Sequence, residues 1–211
     1  MNRRDGSFND LRSLYEIRKP LIQARLCEFS SVPPSGYFYE LVYCLLTPQS
    51  SAEHADQVVQ SLRSVQFEER GVDPEPLLRN PSHYIRFHKT KSRHLLKARE
   101  GFPGIAQAIS NVSKPEDLRE WLVRNVVGFG YKEATHFLRN IGKNGGLAIL
   151  DRHILRNLKR LKVIREIPDS LSKKKYLAIE KQFTRFSGRI GIPLDELDLL
   201  FWSMETGEIR K

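Results

Sequence analysis

The helical spacing of apolar residues is the feature that most constrains this chain. Apolar positions recur about once per helical turn in several segments, which places them on one face of an α-helix. The stripes are Leu41, Val42, Leu45 and Leu46; Ala55, Val58, Val59 and Leu62; Leu118, Trp121, Leu122 and Val126; Ala134, Phe137, Leu138 and Ile141; and Ile154, Leu155, Leu158 and Leu161. Two more helices are predicted around 173–186 and 194–204. Alternation of the β type is scarce, so we predict an all-α protein.

Clusters of glycine and proline mark the expected helix ends. They fall at 30–36, 71–76, 101–104, 142–146 and 188–193. Pro115 opens the third stripe at a first helical position, where proline is favoured, and Gly142 closes the fourth. No stretch is long enough for a flexible interdomain linker, so two lobes, if present, are expected to pack against each other.

The charge of the chain indicates an anionic partner. Thirty-five Lys and Arg residues oppose 25 Asp and Glu residues, which gives a net charge of +10. This excess favours polyanions, either nucleic acid or an anionic membrane surface. The membrane alternative is the weaker one, because no helix combines a basic face with a bulky aromatic face.

Apolar runs and cysteines bear on the compartment. The first twenty residues are polar and charged, with no run fit for a signal peptide, and no later run is long enough to span a membrane. Cys27 and Cys44 lie in apolar helical patterns, and we expect two buried thiols rather than a disulfide. They are too few for an iron–sulfur cluster, and the histidines show no metal-ligand spacing. We expect a cytoplasmic protein that holds no metal by its side chains.

The segment after the third stripe has the pattern of a helical hairpin. A helix predicted to end near Asn125 is followed by Gly128, Phe129 and Gly130, and a new helix starts at once. Two glycines at this spacing allow a tight reversal with positive φ angles. They also uncover N–H groups at a helix N-terminus, where a phosphate can dock. In a basic chain this predicts a helix–hairpin–helix clamp on DNA; an ordinary corner between helices is the alternative.

Lys132 and Asp151 are the candidate chemical groups. Lys132 falls in the first turn of the new helix, where the helix dipole stabilises acids rather than lysines. A positive field lowers the pKa of a lysine and raises its nucleophilic fraction, whereas a solvated phosphate contact is the simpler alternative. Asp151 follows an apolar run and is predicted to be a helix N-cap. A capped carboxylate is rigid and can face a developing oxocarbenium ion, although most such aspartates are only caps.

Several motifs carry a resemblance to a known family. They are GFGYKEA at 128–134, LRNIG at 138–142, LDRHILR at 150–156, FHKTKSR at 87–93 and LLFWSMETG at 199–207. With these motifs the chain resembles the helix–hairpin–helix DNA glycosylase superfamily, and within it the compact archaeal-type (type 2) 8-oxoguanine DNA glycosylases with AP lyase activity. The resemblance covers nearly the whole chain. It implies two packed helical lobes, 32–141 with the hairpin and 1–31 plus 142–211, with the active-site cleft between them.

The resemblance implies a base-excision reaction on double-stranded DNA that contains oxidised guanine. The damaged nucleotide leaves the stack, since its glycosidic carbon is unreachable there. Lys132 then attacks C1′ while Asp151 stabilises the oxocarbenium-like transition state, and β-elimination cuts the strand. No cofactor is needed, and we expect a monomer.

Base recognition in that branch implies an aromatic sandwich and a C-terminal lysine whose carboxylate reads the base. The matching positions are Phe87, Trp202 and Lys211. Gln49 matches a polar residue that enters the gap left by the flipped base. Without the resemblance, core packing is the expected role of both aromatic residues.

The DNA backbone is expected to contact Gly128, Phe129, Gly130, Arg152 and His153. The resemblance also implies a monovalent cation on backbone carbonyls of the hairpin, at Val126 and Gly128. The lysines at 173–175 are expected to form a solvated helix face.

Other functions stay open at this point. They are a glycosylase for another lesion, such as an oxidised pyrimidine or an alkylated purine, a non-catalytic helix–hairpin–helix DNA-binding module, and a basic RNA-binding protein. Lys132 argues against the alkyl-base enzymes, which manage with the aspartate alone, and the lysine–aspartate pair argues against a pure binding module. The endonuclease III and adenine-glycosylase branches carry a four-cysteine iron–sulfur motif that this chain lacks. Its 211 residues leave no room for the N-terminal β-domain of the larger eukaryotic-type enzymes.

Overall fold

The computed structural model describes residues 3–209, with side chains from residue 8 onward. Its α-helices, numbered α1 to α11, are Arg3–Ser30, Tyr37–Leu46, Ala52–Ser64, Phe67–Arg70, Glu75–Leu78, His88–Asn111, Pro115–Asn125, Tyr131–Asn140, Arg152–Arg160, Lys173–Ile190 and Leu194–Thr206. Short 3-10 helices lie at Pro34–Gly36 and Pro81–His83. Within 3–209 there is no strand, which confirms the all-α prediction. In the same range no helix is long and apolar enough to cross a membrane.

Helix α2 is the centre of one compact unit, Val32–Lys143, which we call the hairpin unit. Every residue of α2 from Phe38 to Leu46 is buried, as expected for a helix that is apolar on nearly all sides. Helices α3, α6 and α8 pack against it, and α7 packs against α8. A buried polar contact fixes the packing of α8 on α2, because Asn140 Nδ2 donates to Glu40 Oε2 at 3.1 Å.

Helix α11 is the centre of the second compact unit, which we call the terminal unit. It comprises the described residues up to Ser31 together with those from Asn144 onward. Helices α1, α9 and α10 pack against α11. Tyr15 on α1 donates its hydroxyl hydrogen to Glu196 Oε2 on α11 at 2.7 Å, a buried bond between the two ends of the chain. The division into two packed lobes, 32–141 and 1–31 plus 142–211, stays a prediction.

Two helices continue where the sequence predicts breaks. The break predicted at 101–104 is wrong, because α6 runs through Gly101, Pro103 and Gly104. Its apolar face is buried on both sides of this segment, at Leu95 and at Ile109, and such packing outweighs local preference. Helix α10 likewise passes Gly188 and ends at Ile190.

Helix α1 and its cysteine also differ from expectation. The helix has no counterpart among the predicted stripes, because its buried apolar residues, which include Ile22 and Phe29, are widely spaced. Cys44 is buried as predicted, but the prediction for Cys27 is wrong, because its thiol is exposed. Residue 27 precedes Phe29 by two positions, which places it on the opposite side of the helix.

Candidate active site

The hairpin between α7 and α8 is closed by its own backbone. Phe129 N–H donates to the Val126 carbonyl at 3.1 Å. Gly128 has a φ of 95°, which only glycine adopts readily. Gly130 has a φ of −103°, so the prediction of positive φ angles is right for Gly128 and wrong for Gly130. One left-handed residue is sufficient for this reversal.

Gly128 is also required for steric reasons. A Cβ at this position would clash with His94 Nδ1, because the imidazole of α6 packs directly against the hairpin. Burial lowers the pKa of His94, and the nearby charges of Arg93, Lys97 and Lys91 lower it further. The ring therefore packs against the turn in its neutral form at physiological pH.

Side chains behind the hairpin hold it rigid. Phe129 is buried and its ring lies 6.1 Å from that of Phe137, so Phe129 contributes packing. The guanidinium of buried Arg119 on α7 lies 5.1 Å from the Tyr131 ring. It also donates to Thr135 Oγ1 at 3.3 Å. These contacts join α7 to α8 on both sides of the turn.

Lys132 lies in the first turn of α8, as predicted. Its side chain is 24% exposed, and Nζ lies 3.9 Å from Glu133 Oε1. The other oxygen of Glu133 accepts the Gly130 N–H at 3.2 Å. Glu133 therefore caps the helix and places a carboxylate beside the lysine. Spacing alone could have predicted this cap, because a glutamate three residues after an N-cap is the capping-box pattern.

Gln49 and Phe87 share an unusual backbone. Both are exposed, and their φ angles are 55° and 59°, in the left-handed region. Phe87 is 51% exposed, so core packing, its alternative role, is wrong. Its ring lies 5.2 Å from the Arg86 guanidinium.

Lys91 on α6 is a buried lysine that sequence reasoning did not select. Its Nζ donates to the carbonyl of Leu46, which lies 45 residues earlier in the chain, at 2.6 Å. The pKa of Lys91 is lowered to about 8, mainly by burial and also by the charge of Lys132, while the carboxylate of Glu133 opposes the shift. The signal was its register, since Lys91 is one turn before Leu95 on the buried face of the helix.

In the terminal unit, Asp151 is the N-cap of α9, as predicted. Its Oδ1 accepts the Ile154 N–H at 2.8 Å. Its Oδ2 accepts the indole N–H of Trp202 at 2.7 Å. Both carboxylate oxygens are therefore held by the protein, one from α9 and one from α11. Nothing in the local sequence pointed to this second bond, because the two residues are 51 positions apart.

Trp202 is half-buried and has a polar contact at each edge. Besides its bond to Asp151, its ring meets the His153 imidazole edge-on at 5.4 Å. His153 Nδ1 lies 3.9 Å from Glu205 Oε2, and Arg152 is exposed. Lys211 lies outside the described residues. The exposed lysines at 173–175 form the first turn of α10, which confirms the predicted solvated face.

Comparison with known proteins identifies the family to which the chain belongs. A family model described as 8-oxoguanine DNA glycosylase matches residues 22–192. The chain belongs to the 8-oxoguanine DNA glycosylase family. Two relatives in the family, each named 8-oxoguanine DNA glycosylase/AP lyase, match nearly end to end. The Korarchaeum cryptofilum protein is 40% identical over 98% of this chain and 99% of its own, and the Fusobacterium nucleatum protein is 38% identical over 97% of both.

Solved structures of 8-oxoguanine DNA glycosylases give the same result. The Methanocaldococcus jannaschii enzyme superposes with a TM-score of 0.87 at 32% identity, covering 100% of both chains. Its complex with a 15mer DNA containing 8-oxoguanine superposes with a TM-score of 0.85 at 33% identity, over 95% of this chain and 99% of the other. The resemblance to the compact archaeal-type branch is thereby confirmed.

Proposed function

We propose that this chain excises 8-oxoguanine from double-stranded DNA and then cleaves the strand at the resulting abasic site. The observation that carries the proposal is a partly exposed lysine, Lys132, in the first helical turn after the hairpin of a family member. Relatives of similar length are named for both activities, glycosylase and AP lyase.

In the first step Lys132 Nζ forms a bond to C1′ of the flipped nucleotide. The N-glycosidic bond breaks and the base leaves with the bonding electron pair; the lysine nitrogen releases one proton as its new bond forms, and the departing base takes one up. Positive charge develops on the sugar ring during this step, and the carboxylate of Asp151 is the group assigned to stabilise it. The two hydrogen bonds to Asp151 fix the orientation of its carboxylate.

In the second step the sugar ring opens to a protonated Schiff base between C1′ and Lys132. The iminium acidifies the C2′ hydrogen. A proton acceptor removes it, the C3′–O bond breaks, and the 3′-phosphate leaves by β-elimination. Water then hydrolyses the imine and regenerates the lysine. Every atom comes from the DNA, the lysine or water.

Recognition of the base is assigned to Phe87, Trp202 and Lys211, and Gln49 is assigned to the gap in the duplex. The exposed ring of Phe87 and the half-buried ring of Trp202 support the stacking role, because neither is consumed by a core. Stacking of a base on an aromatic ring contributes about 1 to 3 kcal/mol.

The DNA backbone is assigned to the hairpin at 128–130 and to Arg152 and His153. The exposed Gly128 supports this, because DNA can approach its backbone closely. The carbonyl of Val126 accepts one N–H and keeps a second lone pair, so its oxygen fits the monovalent cation expected at Val126 and Gly128. Such a cation would add positive charge toward a phosphate. We expect a monomer that works in the cytoplasm.

Borohydride trapping tests the proposal. The wild type, Lys132→Gln and the control Lys143→Gln, which alters an exposed lysine just beyond α8, are incubated with a duplex carrying 8-oxoguanine opposite cytosine. We expect a covalent adduct and a nick at the lesion with the wild type and Lys143→Gln, and no adduct with Lys132→Gln. Adducts formed only on oxidised-pyrimidine duplexes would overturn the assignment of 8-oxoguanine as the substrate. No adduct on these or on abasic duplexes would overturn the lysine mechanism.

A further inference from the structure

The left-handed backbone of Gln49 and Phe87 needs an explanation. Left-handed φ angles are disfavoured for residues with a Cβ, and they persist only where the surroundings fix them. Here both residues are exposed, so their own side chains cannot supply that restraint through burial. The restraint has to come from neighbouring groups.

Lys91 supplies it for Gln49. The Nζ of this buried lysine donates to the Leu46 carbonyl at 2.6 Å, to the Pro48 carbonyl at 2.7 Å and to Ser50 Oγ at 3.1 Å. An ammonium group has three hydrogens, so this set uses all of them. Pro48 and Ser50 flank Gln49, and the turn is therefore fastened on both sides of its strained residue.

The same contacts extend to Phe87. Ser50 Oγ accepts a second hydrogen bond, from the Arg86 N–H at 3.0 Å. The backbone N–H of Lys91 donates to the Phe87 carbonyl at 3.0 Å and starts α6 there. Through Ser50, the Lys91 ammonium is thus linked both to the turn that carries Gln49 and to Arg86, the residue before Phe87.

The cost of this arrangement indicates a purpose. Lys91 is only 5% exposed, and burial lowers its pKa to about 8, so holding the ammonium there works against its solvation. A purely structural position would be filled at less cost by an apolar residue, as at Leu95 one turn later.

We infer that Lys91, through Ser50, is a positioning residue for Gln49 and Phe87. It holds Phe87 where the flipped base stacks and Gln49 where it fills the gap in the duplex. Lys91 does not touch the reacting atoms, because all its donors are used within the protein. The inference rests on the proposed function for the roles of Gln49 and Phe87. It predicts that the Lys91–Ser50 contact affects the rate of base release and not the rate of strand cleavage.

Ser50→Ala is the first variant, because it removes the shared oxygen and leaves both carbonyl contacts of Lys91. Ser51→Ala is the matched control, since it deletes a neighbouring hydroxyl that caps α3 at His54 N–H and touches neither Lys91 nor Arg86. Single-turnover rates are measured for release of 8-oxoguanine and for cleavage of a preformed abasic site, which has no base to stack. Losing one hydrogen bond at a largely buried group changes an equilibrium by about tenfold.

We expect Ser50→Ala to slow base release about tenfold and abasic cleavage less than about twofold, with Ser51→Ala near wild type in both. In a Phe87→Ala background the effect of Ser50→Ala on base release should shrink, because one of the two residues through which it acts is gone. Lys91→Met removes the donors but also a charge that interacts with Lys132, so it is compared by amide hydrogen exchange rather than by rate. If it does not fold, Ser50→Ala alone decides.

Equal losses in both reactions, or identical behaviour of Ser50→Ala and Ser51→Ala, would overturn the inference. Amide hydrogen exchange provides a readout that needs no activity. Ser50→Ala should speed exchange at 47–50 and at 86–91, and Ser51→Ala only at the start of α3. A wild type inactive on 8-oxoguanine would overturn the proposed function, while the exchange result would still test the positioning contact.

Discussion

Replacing Trp202 by phenylalanine removes one of the two hydrogen bonds that hold the Asp151 carboxylate. The lost bond joins the indole N–H to Oδ2 at 2.7 Å, at the short end of the range for a donor to an ionised acceptor. A hydrogen bond to a charged group contributes about 1.5 to 3 kcal/mol, which corresponds to about 10- to 150-fold in a rate. Trp202 is only half-buried, so water replaces part of the lost donor. We therefore expect base release to slow by about tenfold.

Single-turnover release of 8-oxoguanine measures this effect, and cleavage of a preformed abasic site is the internal reference. The abasic reaction lacks the step in which the sugar loses its base, so it should change little. Trp121→Phe is the matched control, because it makes the same exchange at a half-buried position of α7. Stacking is read separately, from the affinity for lesion DNA in a Lys132→Gln background. Wild-type rates of base release in Trp202→Phe would refute the role of this bond.

Three further predictions follow from the hairpin, the buried lysine and the cap. Gly128→Ala should lower the free energy of unfolding by about 1 to 3 kcal/mol and weaken duplex binding, because of its φ of 95° and the His94 ring, whereas Gly104→Ala in α6 should not; urea unfolding and fluorescence anisotropy measure both. Between pH 7.5 and 9 the wild type should gain about 1 kcal/mol of stability, and Lys91→Met should lack this gain. The sign follows because the pKa of Lys91 is about 8 in the folded chain against an ordinary 10.5, so the unfolded chain binds more protons in this window. Asp151→Asn should keep the N-cap at Ile154 but lose the bond from the Trp202 indole, because an amide nitrogen donates; it should slow base release about 100-fold, whereas Asp151→Ala should also lose the cap and with it about a further 1 kcal/mol of stability.

The sequence predicted those features that depend on near neighbours in the chain. The stripe at Ala134, Phe137 and Leu138 fixed the buried face of α8, and Asp151 was recognisable as an N-cap because capping acts over three residues. The reversal at Gly128 followed from glycine chemistry for the same reason.

The missed features depend on distant contacts. The bond from Trp202 to Asp151 and the bonds from Lys91 to the turn at 46–50 join residues that only the folded chain brings together. Local preference also failed at Pro103, because the buried faces of α6 keep that helix continuous. For Phe87 the type of residue suggested a core, whereas the ring is exposed and the backbone is left-handed.

The doubly held carboxylate of Asp151 has a consequence for the solvent. In water, an ion is stabilised by dipoles that must reorient whenever charge appears beside it, and that reorganisation slows the reaction. Here the backbone N–H of Ile154 and the indole of Trp202 already point at the two oxygens before any substrate arrives. In the proposed reaction a nucleotide displaces water from this carboxylate, and fixed protein dipoles remain in place of the lost hydration. The N–H groups of the helix cap and of the indole thereby solvate the carboxylate without water and without having to reorient.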